Sequence, residues 1–349
     1  MLAVGSVQPA IAGPALLFDV SNGKLLYAED PDSLWYPASL TKIMTAYLAF
    51  KAIRSGRLTL DQKIPCSLVA TLQPPSKVGL KVGAELTIEK ALQAVIVKSA
   101  NDVTVMLAEA IAGSETKFIA QMNETARKLG MTRTNYANTN GLPDPAQLTT
   151  ARDLAKLARA VVIEFPEYAS YWSMTDMRIG KKRLGSHNAL LKTFPGADGL
   201  KTGFTCDSGF NVVASATRDG HRLMAVVLGE TSGDERAVRA ASLLEHGFQT
   251  QGWKGLFNQS SIDNMPIDPA AKGVVSVREE VTAWSCNNKK HKAAAKSKRA
   301  EKTKTAAGKS HESAKKKAVA DDALPALKGT HTPTDGPVAR TADSKPNAN

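Results

Sequence analysis

Apolar residues along the chain recur at two spacings, one typical of strands and the other typical of helices. Two short apolar runs, 15–18 and 24–27, flank Asn22-Gly23 and predict a β-hairpin, because Asn-Gly between such runs is a strong hairpin signal. The other predicted strands and their turn are 210–214, 223–228 and Asp219-Gly220.

Helix-spaced apolar positions fill most of the chain between these strands. The predicted helices are 40–53, 88–111 with a break near 99–101, 114–129, 151–163 and 235–246. Ser114 and Thr150 stand where N-caps are expected, with Asp153 as the capping partner of Thr150, and Gly130 fits a helix stop. Strands at both ends with helices between them indicate an α+β domain.

The positive charge is concentrated at the C-terminal end of the chain. Residues 287–349 contain 15 Lys+Arg and 6 Asp+Glu, a balance of +9, out of +12 for the whole chain. The remaining 45 − 15 = 30 basic and 33 − 6 = 27 acidic residues leave +3. The segment 287–349 also lacks aromatic residues and apolar periodicity, which predicts a disordered basic tail with a charge suited to an anionic partner.

Four regions are therefore predicted. They are an N-terminal leader or its remnant (1–12), a main globular domain (13–256), a short C-terminal extension (257–286) and the basic tail (287–349). Ala10-Ile11-Ala12 has the small-x-small form of a signal-peptide cleavage site, although a frayed terminus explains it equally well. No stretch approaches the roughly 20 apolar residues of a transmembrane helix.

The cysteines do not have the spacing of a metal site. Cys66, Cys206 and Cys286 are far apart, and in an oxidising compartment an odd number leaves at least one thiol free. We expect neither a metal nor another cofactor.

The first candidate motif is Ser39-Leu40-Thr41-Lys42, which opens an apolar helix. Ser-x-x-Lys also begins at Ser21, Ser114 and Ser313, but these lie in a turn, a helix cap and the tail. A serine hydroxyl becomes a nucleophile when a nearby base takes its proton, and a desolvated lysine one helical turn away can be that base. The alternative is an N-cap serine followed by a solvated lysine.

The second candidate is Ser99-Ala100-Asn101, which interrupts a strongly apolar helical region. Polar residues in such a place should face a cavity or be hydrogen-bonded. A hydroxyl and an amide at this spacing can relay a proton and hold a substrate amide. A helix-breaking cap is the alternative interpretation.

The third candidate, Lys201-Thr202-Gly203-Phe204-Thr205, begins the second strand region. On an edge strand, Lys201 and Thr202 can bind an anionic substrate end, and Gly203 lets a substrate backbone approach closely. The Phe204 N–H can complete an oxyanion hole. Alternatively, the lysine marks a charged strand end after a glycine turn.

Together the three motifs match the signature set of penicillin-binding proteins and β-lactamases. They occur in the same order, separated by 99 − 39 = 60 and 201 − 99 = 102 residues. From about residue 15 to 248 the chain resembles the low-molecular-mass penicillin-binding proteins that are serine-type D-alanyl-D-alanine carboxypeptidases. Asn140-Gly141-Leu142 and 150–154 belong to the same resemblance. It implies a penicillin-binding protein/β-lactamase-like α+β fold, an antiparallel sheet flanked by helices with a helical subdomain.

The resemblance also implies a mechanism and a location. Ser39 would attack the bond between the terminal D-alanines of a peptidoglycan stem peptide, with Lys42 as base and Ser99 as proton relay. The implied substrate-binding residues are Asn101, Lys201, Thr202, Gly203, Phe204, Thr205 and Arg236. For Arg236 a solvated arginine at a helix start is an equal alternative. β-Lactam antibiotics would be covalent inhibitors, and the protein would act in the periplasm or cell envelope.

Two other functions compete with this interpretation. A β-lactamase would share the fold, but Ala100 replaces the aspartate of the Ser-Asp-Asn motif and no Glu-x-x-Leu-Asn sequence is present. The other is an inert penicillin-binding-protein-like domain with a tail that binds nucleic acid or another polyanion. Lysine runs such as 315–317 favour it, but no aromatic residue interleaves them to stack on bases.

Overall fold

A computed structural model describes residues 13–257, 260–281 and Cys286. The predicted leader and the predicted basic tail lie outside the described residues.

Nine strands and ten α-helices are described. The strands are β1 Ala15–Asp19, β2 Leu25–Glu29, β3 Lys63–Pro65, β4 Glu85–Thr87, β5 Asp176–Ile179, β6 Lys182–Gly185, β7 Ala197–Thr205, β8 Gly209–Arg218 and β9 His221–Glu230. The helices are α1 Lys42–Arg54, α2 Leu68–Leu72, α3 Ile88–Gln93, α4 Asn101–Ala112, α5 Glu115–Lys128, α6 Ala151–Glu164, α7 Ala169–Ser173, α8 Leu190–Thr193, α9 Gly233–Phe257 and α10 Arg278–Val281.

The central sheet has five strands in the order β2-β1-β9-β8-β7, and every neighbouring pair is antiparallel. Both predicted hairpins are confirmed. Gly23 adopts φ +73° in the first, and Asp219 and Gly220 adopt φ +50° and +78° in the second. These left-handed conformations suit the tight turns of a twisted hairpin. The strand β7 lies at the sheet edge, so one side of its backbone is free of strand partners.

Helices cover both faces of this sheet. On one face, Leu17, Val212 and Val227 pack with Leu244 of α9. On the other, Leu16, Phe18, Val213 and Val226 join the core that includes the apolar sides of α1, α4 and α6. This arrangement confirms the predicted α+β class, with a helical subdomain between β2 and β7.

The predicted helices are found, with differences at their ends. The break predicted near 99–101 is confirmed, because a π-helical segment, Ala94–Lys98, ends at Ser99 with φ +60° before α4 begins. Thr150 caps α6 by accepting from the Asp153 N–H. The Asp153 carboxylate, however, accepts from the Arg133 N–H and the Thr134 hydroxyl, so it anchors a neighbouring loop instead of completing a capping box.

Beyond α9, the described residues 260–281 lie against the domain. Ile262, Val277 and Val281 are buried in the main core. Cys286 forms a disulfide with Cys206, and Cys66 is a buried free thiol. Among the described helices, none has the length and apolarity that a membrane crossing requires.

Candidate active site

The turn that carries Ser39 is a 3₁₀ helix, Ala38–Thr41, that precedes α1. Ser39 therefore lies one short turn before the α-helix that it was predicted to open. Ala38 adopts φ +47°, a conformation that is unfavourable for a residue with a side chain and is often found at active sites. The buried Asn211 of β8 donates from Nδ2 to the Tyr36 carbonyl at 3.1 Å and accepts from the Gly229 N–H at 2.9 Å. This contact ties the Ser39 turn to the centre of the sheet.

Lys42 is 1% exposed, and its amine has three partners among the described residues. Nζ lies 3.0 Å from Ser39 Oγ, 2.7 Å from Asn101 Oδ1 and 2.6 Å from the Asn140 carbonyl oxygen. The two carbonyl oxygens can only accept hydrogen bonds, whereas the hydroxyl can also donate. A neutral amine has two N–H groups for the carbonyls and one lone pair for the Ser39 O–H. A charged ammonium would donate to the same three partners, so these contacts accommodate either form of lysine.

Electrostatics favour the neutral form of Lys42. Burial, followed by the nearby charge of Lys201, holds the pKa of Lys42 well below its ordinary value of 10.5. No carboxylate pairs with this amine among the described residues. The Ser39–Lys42 pair thus has the geometry of a nucleophile and its base, and the lowered pKa of Lys42 favours the neutral amine that a base requires.

The structure brings Ser99 and Asn101 to the same cleft as Ser39. Asn101 accepts from Lys42 through Oδ1 and donates to the Pro74 carbonyl through Nδ2 at 2.9 Å, so one N–H of the amide remains for another acceptor. The Ser99 hydroxyl is buried and has no hydrogen-bond partner among the described residues. A buried polar group without a partner is costly in an empty cleft and is expected where a ligand completes its hydrogen bonding.

The strand β7 passes directly over the Ser39 turn at Gly203. A Cβ atom at this position would lie 2.9 Å from the Pro37 carbonyl oxygen and 3.0 Å from the Ser39 nitrogen. The contact is close enough that any side chain at this position would push the strand and the turn apart. The Ser39 N–H and the Phe204 residue that follows Gly203 are thereby brought to one end of the cleft.

Two buried cations belong to this cleft, Arg236 in its wall and Lys201 behind it. Lys201 is 3% exposed, and its Nζ donates to the Thr202 carbonyl at 2.9 Å. Burial, and then Arg236, lowers the pKa of Lys201 to about 7. Arg236 is itself 8% exposed and donates to the His187 carbonyl. An anionic group entering here would find two desolvated cations.

The predicted site residues lie together around one cleft of about 750 Å³. Of the predicted set, Ser39, Ser99, Asn101, Thr202, Gly203, Phe204, Thr205 and Arg236 line its wall. Lys42 and Lys201 are buried behind it. The Thr205 hydroxyl donates to Ser208 Oγ at 3.0 Å. Among the described residues, no cluster of three or more His, Cys, Asp or Glu side chains is placed to hold a metal ion.

Sequence reasoning missed the roles of four residues that form or support this cleft. The main-chain carbonyl of Asn140 binds Lys42, and no side-chain pattern reveals a backbone acceptor. Asn211 had a signal, since it is a polar residue inside an otherwise apolar strand. Asp207 and Arg278 line the cleft as an ion pair, with Arg278 Nε 2.6 Å from Asp207 Oδ1.

Residues 4–232 match the family described as D-alanyl-D-alanine carboxypeptidase. The chain belongs to this family. It is 36% identical over 241 residues to D-alanyl-D-alanine carboxypeptidase DacC of Escherichia coli, covering 67% of this chain and 60% of the relative. The chain therefore spans less than two thirds of that relative's length, and the same holds for the 64% covered of DacA from Haemophilus influenzae.

Solved structures of penicillin-binding proteins agree with the fold. Penicillin binding protein 5 of Haemophilus influenzae is 35% identical, with a TM-score of 0.67 over 70% of this chain and 73% of the other. A penicillin-binding protein of Listeria monocytogenes, solved in a cefotaxime-bound form, is 32% identical, with a TM-score of 0.62. That similarity covers 69% of this chain and 100% of the Listeria chain. The penicillin-binding-protein-like fold class predicted from the motifs is confirmed.

Proposed function

We propose that this protein is a serine-type D-Ala-D-Ala carboxypeptidase that removes the terminal D-alanine from peptidoglycan stem peptides through an acyl-enzyme. One observation carries the proposal: the buried Lys42 amine, with a lowered pKa, lies 3.0 Å from Ser39 Oγ. Family membership and the names of the relatives support the substrate class.

Acylation would begin as Ser39 Oγ attacks the carbonyl carbon of the scissile peptide bond and its proton passes to Lys42 Nζ. The Ser39 and Phe204 N–H groups would stabilise the oxyanion. As the C–N bond breaks, the departing D-alanine nitrogen would take up a proton from Lys42. The unpartnered Ser99 hydroxyl is suited to relay it. Water would then hydrolyse the ester and regenerate Ser39.

The substrate's C-terminal carboxylate would bind at the cationic end of the cleft. Lys201 and Arg236 are both buried there, and a carboxylate would satisfy charge that the protein leaves uncompensated. Thr202 adds a hydroxyl on the same strand, and the Thr205 hydroxyl would donate to the carboxylate in place of its bond to Ser208 Oγ. A carboxylate one residue beyond the scissile carbonyl would position that carbonyl against Ser39.

Slow deacylation separates this proposal from a β-lactamase. Asp207 is the one carboxylate that lines the cleft among the described residues, and Arg278 pairs with it at 2.6 and 2.8 Å. This pairing lowers the pKa of Asp207 and makes it a weak base. We therefore expect a β-lactam to acylate Ser39 and to leave slowly, as a covalent inhibitor.

A peptidoglycan substrate would place the protein in the periplasm or cell envelope. Residues 13–256 would form the catalytic unit, and the basic tail 287–349 would bind an anionic envelope polymer. The alternative of an inert domain with a polyanion-binding tail is disfavoured by the Ser39–Lys42 geometry, which an inert domain does not require.

Penicillin labelling tests the proposal. A fluorescent penicillin should add one acyl group per molecule, measured by intact mass, and Ser39→Ala should abolish it. Ser21→Ala is a matched control because Ser21 also begins a Ser-x-x-Lys sequence but is exposed in the first hairpin. The labelled protein should also release D-alanine from diacetyl-Lys-D-Ala-D-Ala. Labelling that survives in Ser39→Ala, or rapid penicillin turnover without D-alanine release, would contradict the assignment.

A further inference from the structure

Residues Ser260–Val281 and Cys286 form a segment that we call the C-terminal strap. The strap follows α9 and lies beyond the 4–232 match to the family. It contacts two distant parts of the chain, the segment that leads to Ser39 and the loop that follows β7.

The first half of the strap is fixed to the start of the chain. Its Ser260 carbonyl accepts from the Leu25 N–H at 3.0 Å. The buried Arg152 pairs with Asp32 at 2.6 Å and donates to the Met265 and Pro266 carbonyls of the strap. Arg152 and Asp32 are both almost fully buried, so the contact between them and the strap belongs to the folded core and not to the surface.

The middle of the strap holds the approach to the nucleophile. The Leu34 N–H donates to the Lys272 carbonyl at 3.1 Å, and the Lys272 N–H donates to the Ser33 hydroxyl at 3.2 Å. Lys272 Nζ also pairs with Asp30 at 2.7 Å. Leu34 lies five residues before Ser39, so these contacts fix the segment that enters the Ser39 turn.

The end of the strap holds the loop between β7 and β8. The Val277 N–H donates to the Asp207 carbonyl at 3.2 Å, and the Arg278 guanidinium forms a bidentate pair with the Asp207 carboxylate. Cys286 is bonded to Cys206, which directly precedes Asp207. Asp207 lies three residues after Phe204. A backbone hydrogen bond, an ion pair and a disulfide therefore all hold the loop at the end of β7.

We propose that the strap, fastened by the Cys206–Cys286 disulfide, is a positioning element that sets the spacing between the Ser39 turn and the end of β7. The two segments it holds carry the two N–H groups of the oxyanion site, so the inference rests on the proposed function. Trp35 already joins them directly, since its Nε1–H donates to the Ser208 carbonyl at 2.9 Å. The strap contacts these same two segments, the one that leads to Ser39 and the loop that follows β7. Its Arg278 also lines the cleft.

Opening the disulfide tests the proposal in the full-length protein. Dithiothreitol attacks the protein disulfide, passes through a mixed disulfide and closes to its own oxidised ring, leaving two protein thiols. Titratable thiols in the unfolded protein should rise from one, Cys66, to three. We expect kcat for D-alanine release to fall about tenfold with KM changed less than twofold, because an oxyanion contact acts in the transition state.

Two variants separate positioning from loss of folding. Cys286→Ser should reproduce the reduced protein and should not respond further to dithiothreitol. Arg278→Lys keeps the disulfide but removes the bidentate pair, and should lower kcat severalfold. Arg183→Lys is its matched control, because Arg183 forms a similarly exposed ion pair with Asp176 that does not line the cleft. All assays are run well below the melting temperature of each variant.

A readout independent of turnover keeps the strap separate from the proposed activity. Hydrogen exchange of the backbone amides in 34–39 and 204–209 should accelerate together when the disulfide opens, even if Ser39 were never acylated. The strap proposal is overturned if exchange and kcat are unchanged with three thiols titrated. It is also overturned if Arg278→Lys behaves like Arg183→Lys in both measurements.

Discussion

Replacing Gly203 by alanine would push β7 away from the Ser39 turn. The added Cβ would lie 2.9 Å from the Pro37 carbonyl oxygen, 3.0 Å from the Ser39 nitrogen and 3.2 Å from the Ala38 Cβ. Ordinary contact begins at 3.4 Å, so a separation of 3.4 − 2.9 = 0.5 Å between the turn and the strand would restore it. Two of the three contacts are with backbone atoms, which cannot rotate away as a flexible side chain would.

The expected cost falls mainly on catalysis. The Ser39 and Phe204 N–H groups lie on the two segments that must separate, and losing one oxyanion donor costs about 10²–10³ in kcat. A shift of about half an ångström weakens both donors without removing either, so we expect kcat to fall roughly ten- to a hundredfold. Overpacking should cost about 1–3 kcal/mol of stability, which leaves the protein folded at 25 °C.

The measurement combines the acylation rate with a fluorescent penicillin, D-alanine release and thermal unfolding. Gly185→Ala is the matched control, because Gly185 ends a strand and a Cβ there would meet nothing within 4 Å. A Gly203→Ala protein that is folded and retains kcat within twofold of the parent would refute the assignment of this contact to the oxyanion site.

Three further predictions concern Lys201 and the tail. With a pKa of about 7, Lys201 is charged below pH 7 and neutral above it. The ratio of kcat/KM for a substrate with a free C-terminal carboxylate to kcat/KM for its amide should therefore fall from pH 6 to pH 9. A ratio that does not change with pH would contradict this. Because the pKa of Lys201 in the folded protein lies below the ordinary 10.5, the folded state loses stability as the pH falls from about 10 towards 7. Lys201→Met should therefore raise the melting temperature more at pH 6–7 than at pH 10, as measured by calorimetry. Deleting 287–349 should leave kcat/KM within twofold and weaken salt-sensitive binding to heparin, and a severalfold loss of turnover would show that the tail reaches the site.

Local signals in the sequence were sufficient for most of the secondary structure. Asn22-Gly23 and Asp219-Gly220 specify their turns through backbone conformations that few other residues adopt. The polar interruption at Ser99 predicted a helix break because the flanking residues are strongly apolar. The motif order predicted which side chains would meet, since the family resemblance carries tertiary information that periodicity does not.

Contacts between distant segments were not predictable in this way. The Asn140 carbonyl that binds Lys42 belongs to the main chain, and every residue has one. The disulfide joins residues that are 80 positions apart, and three cysteines allow three different pairings. The strap has only a few buried apolar residues, Ile262, Val277 and Val281, and its other contacts are hydrogen bonds and ion pairs that leave no apolar period in the sequence.

The precision of the site depends on buried hydrogen bonds more than on apolar packing. Apolar contacts are non-directional, so a hydrophobic core alone would tolerate small shifts of the Ser39 turn. Asn211, the Thr45 hydroxyl bonded to the Thr139 carbonyl, and the Gln147 amide bonded to Thr41 each demand one orientation. A buried group left without its partner costs about 1–3 kcal/mol. Any displacement of the turn that breaks these bonds is therefore opposed, and Ser39 stays within reach of Lys42.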